Sequence, residues 1–189
     1  MRPNPWKKLE SRTIYENAWL RLREDAVVRP DGGAGIYSVV ELRPSVGVVA
    51  LNGGREIALV GQWRYPLGRH SWEIPRGGSL VEETDLLAVA RRELREEAGV
   101  EAGKWRRLGA VDVNNGVTTD VEHLFLASEL TACDTHPDPE EEIEVRWEPF
   151  EAAVAMALGG EITEVCSVAA ILMAARVVSG EGLSDAFGE

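Results

Sequence analysis

The sequence predicts an α/β protein with a β arm at its N-terminal end. Three observations carry that expectation. Short runs rich in β-formers, spaced by turn residues, recur through much of the chain; the segment from Thr84 to Gly99 repeats its apolar residues at three- and four-residue spacing; and residues 151–158 and 163–178 read as two further helices. At 189 residues the chain suits one domain of ordinary size with a small appended element.

Taken in order, Tyr15 to Val28 and Ile36 to Leu42 flank "RPDGGAG", whose Pro-Asp-Gly sequence favours a turn, so the N-terminal region is expected to be a β-hairpin arm, residues 1–43. The main domain, residues 44–180, begins with "VGVVAL" and "EIALVGQW", short apolar runs joined through Asn52-Gly53-Gly54 as buried strands would be. After the amphipathic segment come "LGAVDV", "VEHLFLA" and "IEVRWEPF", each β-like. Glu151 to Leu158 ends at Gly159-Gly160, and Thr163 to Val178 is followed by "SGEGLSDAFGE", whose residues 181–189 form a frayed tail. A mixed sheet accompanied by helices follows.

Composition excludes several classes. A formal net charge of -12 opposes nucleic-acid binding, which needs clustered Lys and Arg to neutralise phosphates. The run from Val165 to Val178 contains Arg176 and is too short for a bilayer, and "MRPNPWKKLESR" lacks the apolar core of a secretory signal, so no membrane association is expected. Cys133 and Cys166 are far apart, without a CxxC or clustered His; neither a disulfide framework nor a zinc site is indicated, and a cytoplasmic setting is the default. His70, His123 and His136 lack ligand spacing, and Ser167 and Cys166 lack a His partner, so all five are assigned to structure or surface.

The chemistry concentrates in "GGSLVEETDLLAVARRELREEAGV", Gly77 to Val100. Leu86, Leu87, Ala90, Leu94 and Ala98 make one apolar stripe, Gly99 is a natural stop, and Thr84 is a candidate cap. On the same wheel Glu93, Glu96 and Glu97 fall within an arc of about 100° beside the stripe, while Arg91, Arg92 and Arg95 project elsewhere. Glu93 and Glu97 are a like-charge i, i+4 pair, which costs an isolated helix roughly 0.2–0.5 kcal/mol. Solvation by neighbouring arginines offsets such a cost, and so does a hard divalent cation, which takes oxygen ligands and leaves room for substrate phosphates.

The combined spacing of Gly78, Arg92-Glu93-Leu94, Glu96-Glu97 and Gly99-Val100 resembles the box of the Nudix hydrolases, G-x5-E-x7-R-E-U-x-E-E-x-G-U with U aliphatic, except that Thr84 stands at the first Glu, with Glu82 and Glu83 just before it. The resemblance implies a Nudix-type α/β/α sandwich with a mixed β-sheet, and Mg2+, with Mn2+ as a substitute, held by Glu93, Glu96, Glu97 and the carbonyl of Arg76. Arg92 orients the acids in that scheme. "LVGQWRYPLGRHSWEIPRGG" is similar to the ADP-ribose pyrophosphatase branch, which implies that Arg64 holds the anionic substrate and that Glu73 lies beside the site; Trp72 reads as core. "EEEIEVRWEPF" resembles the same branch and implies Glu141 as general base, with Glu140 and Glu142 as rivals. A solvated acidic loop is the competing reading of Asp134 to Glu144.

The same branch usually carries a proline where this chain has Asn115, although Gly116 and Asp120 fit its pattern. The implied reaction is hydrolysis of the diphosphate linkage in a nucleoside diphosphate sugar, with ADP-ribose ahead of ADP-glucose and GDP-mannose. The implied assembly is a homodimer formed with the N-terminal arm, in which Tyr37 stacks on the base. A non-catalytic nucleotide-sensing module of the same fold is the alternative, and Thr84 is the residue in its favour.

Overall fold

The computed structural model describes residues 2–80, 83–134 and 142–180. The chain divides into two compact units, one made of residues up to Pro44 together with Asp112–Val121, the other of Ser45–Val111 and the residues from Glu122 onward.

The first unit is a three-stranded antiparallel sheet, β1 (Lys7–Glu16), β2 (Arg21–Val28) and β3 (Ala34–Glu41), in that order. The expected hairpin is β2–β3, closed through Asp31, whose Oδ1 accepts from the Gly33 N–H at 2.9 Å. The additional strand, β1, was not expected because its residues are exposed throughout and show no apolar alternation. The single strand expected from Tyr15 to Val28 is instead broken at Asn17, whose side-chain oxygen accepts from the Trp19 and Leu20 N–H groups at 2.9 Å. Glu41 takes ion pairs from Arg21 and Arg23, and Arg12 pairs with Glu24 across β1 and β2. Val40 bridges to Thr118, which ties the 112–121 segment to this sheet.

The second unit holds two sheets. β7 (Arg76–Gly78), β4 (Ser45–Ala50), β9 (Val121–Ala132) and β8 (Val100–Asp112) form a mixed sheet in that order, with β4 antiparallel to β7 and parallel to β9. β10 (Glu144–Pro149), β5 (Glu56–Arg64) and β6 (Arg69–Glu73) form an antiparallel sheet. The two apolar runs read as adjacent strands, β4 and β5, are linked by only one bridge, Leu51 to Ile57, and start separate sheets.

Among the described residues three α-helices complete this unit: α1 (Leu86–Ala98), α2 (Phe150–Gly159) and α3 (Val165–Val178). α1 and α3 both pack on β4. Val46, Val48 and Ala50 of β4 meet Val89, Ala90, Leu94 and Ala98 of α1, with Phe125 and Ala127 from β9, in one buried cluster. Leu86 and Leu87 sit only partly buried at its edge, and Val89, absent from the expected stripe, is fully buried. No helix among the described residues is long and apolar enough to cross a membrane.

Candidate active site

α1 starts at Asp85, whose carboxylate accepts from the Leu87 and Ala88 N–H groups at 3.0 and 3.2 Å, and stops at Gly99 in the left-handed conformation. The cap is therefore Asp85 rather than Thr84, which is exposed. Packed on β4 and β7, the helix turns Glu93 and Glu97 inward. Their residues are only 8 % and 4 % exposed, so the solvated-face explanation fails for these two carboxylates. Glu96, one step round the helix, is half-buried.

The acids are held by two parts of the chain, Glu97 by β7 and Glu93 and Glu96 by Arg92. Glu97 Oε2 accepts the Arg76 backbone N–H at 2.8 Å. Glu93 Oε1 lies 2.9 Å from Arg92 Nη1, and the same nitrogen donates to Glu96 Oε2 at 2.9 Å. Arg92 therefore does not project away from the acids, as its wheel position suggested, but folds back across them, while Arg91 and Arg95 are exposed. Burial would pull the Arg92 guanidinium down, but its bonds to Glu83 and Glu96 and the charge of Glu93 hold it above its ordinary value, so it stays cationic.

Glu83 supplies the carboxylate missing at Thr84. Its two oxygens lie 3.2 Å from Arg92 Nε and Nη2, and it accepts the Leu80 N–H at 2.7 Å. The backbone bond from Leu80, with Arg92 behind it and burial opposing, keeps this carboxyl below its usual range. A carboxylate–arginine pair thus stands at the start of α1, one residue earlier than the box spacing places it. The sole sequence feature favouring a sensor loses its force.

Arg64 and Glu73 meet in a two-pronged ion pair, Nε to Oε1 at 2.9 Å and Nη2 to Oε2 at 2.5 Å. Glu73 is 1 % exposed, and although burial raises its pKa, the Arg64 bonds prevail and hold it below the ordinary value of 4.5. A carboxyl depressed in the folded state contributes stability that is complete above its unfolded value and is lost as the pH falls through the lower folded one. Glu73→Gln is expected to flatten the acid limb of the stability curve below about pH 4.5, measured as thermal midpoint against pH.

The remaining expected residues are placed as follows. Tyr37, in the first unit, donates its hydroxyl to the Gly116 carbonyl at 2.9 Å and meets the Trp6 ring edge-on at 5.3 Å. Trp72 is half-buried beneath the Arg146 guanidinium, 4.0 Å from its ring centre. Cys166 and Ser167 are fully buried, and both cysteines are free. Glu141, Glu140 and His136 lie outside the described residues, as does the tail from 181; Glu142 is exposed. Sequence reasoning missed Glu83, Glu122 and Glu164. Of these Glu83 carried a signal, since it lies next to the departure from the box.

Among the described residues, no group of three or more His, Cys, Asp or Glu stands arranged to hold a metal ion. The donor set nevertheless fits a hard divalent cation: it is all oxygen, its two buried members lie one helical turn apart, and the Gly77 backbone closes over one of them, leaving no room for a side chain.

A mixed sheet with helices on β4, and a buried acid pair on a helix that follows a glycine pair, define a Nudix-type site. The NUDIX domain model matches residues 41–165, and the chain belongs to that family of hydrolases. The model of the nucleoside diphosphate sugar hydrolase N-terminal domain matches residues 6–40. Among individual proteins the chain is similar to the ADP-ribose pyrophosphatase of Mycobacterium tuberculosis (strain ATCC 25618 / H37Rv), at 31 % identity over 95 % of this chain and 88 % of the relative. It is also similar to the ADP-ribose pyrophosphatase of Bacillus subtilis (strain 168), at 30 % over 87 % and 92 %. A methanol dehydrogenase activator of Bacillus methanolicus is 30 % identical over 66 % of this chain and 67 % of its own. In fold, the chain matches the crystal structure of an ADP compounds hydrolase with a TM-score of 0.84, at 17 % identity, over 96 % of this chain and 98 % of that one.

Proposed function

We propose that this chain hydrolyses the diphosphate linkage of a nucleoside diphosphate sugar, ADP-ribose first, to a nucleoside monophosphate and a sugar phosphate, with Mg2+ or Mn2+ bound. The observation that carries this reading is the pair of buried carboxylates, Glu93 and Glu97, on successive turns of α1 in a Nudix domain. The names of two curated relatives, both ADP-ribose pyrophosphatases, favour the substrate.

Glu93, Glu96, Glu97 and the Arg76 carbonyl would hold the cation. When bound, it would neutralise the diphosphate and lower the pKa of a water. Arg92, with Glu83 behind it, fixes the aim of Glu93 and Glu96. Arg64 is oriented by Glu73 through Nε and Nη2, and its Nη1 donors, which take no part in that pair, would hold a substrate oxygen. Glu141 would take the proton from the attacking water. Glu96 Oε2 is bonded to Arg92, so Glu96 would serve as a ligand through its other oxygen or on release from that bond.

A homodimer in which the arm of one copy brings Tyr37 to the base in the other completes the proposal, and the free cysteines suit a reducing cytoplasm. Sedimentation would report the dimer. Tyr37→Ala is expected to raise KM several-fold with kcat nearly unchanged, because base stacking contributes binding without touching the diphosphate.

Phosphate monoester release from ADP-ribose, ADP-glucose and GDP-mannose, with and without magnesium, tests the main claim. Magnesium-dependent turnover that is fastest on ADP-ribose is expected. Tight binding without any turnover would replace the hydrolase with a sensor.

A further inference from the structure

The side chain of Arg76 has no part in the scheme above, yet it sits at the centre of a buried charge cluster. Its Nε lies 3.2 and 3.1 Å from the two oxygens of Glu122, and its Nη2 bonds the second of them as well. Glu73 Oε2 approaches Nη1 to 3.8 Å and Glu164 Oε2 approaches Nε to 3.9 Å. Glu122 is 0 % exposed and also accepts from the Ser45 hydroxyl at 3.3 Å. Glu164 caps α3, accepting from the Cys166 and Ser167 N–H groups, and the Ser167 hydroxyl accepts the Ile74 N–H at 3.1 Å. One guanidinium thus ties the end of β6, β9 and the start of α3 together.

The route by which Glu122 reaches Arg76 is specific. β4 lies between β7 and β9, with Gly47 opposite Arg76 on one side and Ser45 opposite Glu122 on the other. Two strand spacings, roughly 10 Å, separate the outer backbones, and the Glu122 carboxylate and the Arg76 guanidinium meet between them, with Glu122 Oε1 over Gly47. A Cβ at Gly47 would stand 2.7 Å from Glu122 Oε1 and 3.0 Å from Ile74 Cδ1. The glycine is the window through which the acid passes.

The consequence lies on the backbone of Arg76. Its N–H fixes Glu97 at 2.8 Å, and its carbonyl is the group assigned to the cation. β7 is three residues long, pairs with β4 and accepts from Arg92 at the Gly78 carbonyl, and Arg76 is its one residue with a side chain beyond hydrogen. We propose that Glu122 is a positioning residue: through the Arg76 side chain, across the Gly47 window, it fixes the Arg76 backbone that aims Glu97 at the cation. This rests on the metal-dependent reading above.

The test is Mn2+ binding by calorimetry without substrate, together with thermal midpoint and steady-state kinetics, on the full chain. Glu122→Gln keeps the shape but removes the charge and turns one of the two oxygens that accept from Arg76 into an NH2 donor. It is expected to weaken Mn2+ binding about 10-fold and lower kcat by a similar factor, with KM within about twofold, as loss of an outer-shell partner does. Because one buried partner is then left charged, a second variant, R76M/E122L, removes both charges while roughly keeping volume; replacing a buried ion pair by apolar groups of similar volume is often neutral for stability. It is expected to melt near the wild-type temperature and still bind Mn2+ weakly. Wild-type Mn2+ affinity in either folded variant would overturn the proposal, and so would a loss confined to KM. A wild-type protein that binds no Mn2+ and turns over no substrate would instead overturn the hydrolase reading itself.

Discussion

Glu97→Gln is expected to abolish magnesium-dependent turnover while leaving the fold intact. The two side chains have nearly the same shape, so packing around this 4 % exposed residue is preserved, and the amide can present its oxygen to the Arg76 N–H that Glu97 Oε2 now accepts. What changes is charge. A neutral amide is a poor ligand for a hard divalent cation, whose affinity depends on the number of anionic oxygens offered. Losing an outer-shell partner costs about 10–100-fold, and a lost ligand should exceed that, so kcat/KM is expected to fall by more than about 100-fold. Thermal melting should separate chemistry from folding: the midpoint without metal should equal the wild-type value or exceed it, because a buried charge beside Glu93 has been removed. Full activity in this variant would sink the assignment of the acid pair.

Much of this site could be read from spacing, because α1 obeys a local rule. Its apolar repeat placed the helix and put Glu93 and Glu97 beside the stripe. Their burial was not readable there, since it depends on the close approach of β7, Gly77 to Glu93 and the Arg76 N–H to Glu97. The box resemblance gave Arg92 the role of orienting the acids, while the wheel alone pointed it away from them: a wheel gives the direction of Cβ, whereas a long side chain can fold back over two turns to Glu83 and Gly78. Arg64 was assigned to substrate through the family resemblance of its segment. Its pairing with Glu73 needs the β5–β6 turn to be folded before it exists.

The long-range pairs were beyond any window on the sequence. Glu122 stands 46 residues from Arg76, in a segment read only as a β run, and its burial follows from a strand order that no local pattern states. The arm shows the opposite case. β1 is exposed on every residue, so the alternation that identifies half-buried strands had nothing to register.

Gly77→Ala is expected to have the second-largest effect, and its neighbour serves as the control. A Cβ at Gly77 would lie 2.2 to 2.6 Å from the carboxylate atoms of Glu93, closer than non-bonded atoms tolerate, and the carboxylate is hemmed in by the helix and Arg92. Either Glu93 swings away or β7 shifts, and each outcome separates the acid from its place beside Glu97. Overpacking of this kind costs about 1–3 kcal/mol, a fall in thermal midpoint of roughly 3–10 °C for a chain of this length. Mn2+ affinity and kcat should drop together, because the displaced group is the one assigned to the metal. Gly78→Ala, one residue on, meets nothing within 4 Å, so its stability should stay within about 0.5 kcal/mol of the wild type. The glycine that occupies the box position is thus expected to tolerate a methyl group, while the one before it is not. Equal damage from the two substitutions would mean that backbone conformation of the pair, rather than contact with Glu93, is what this turn requires.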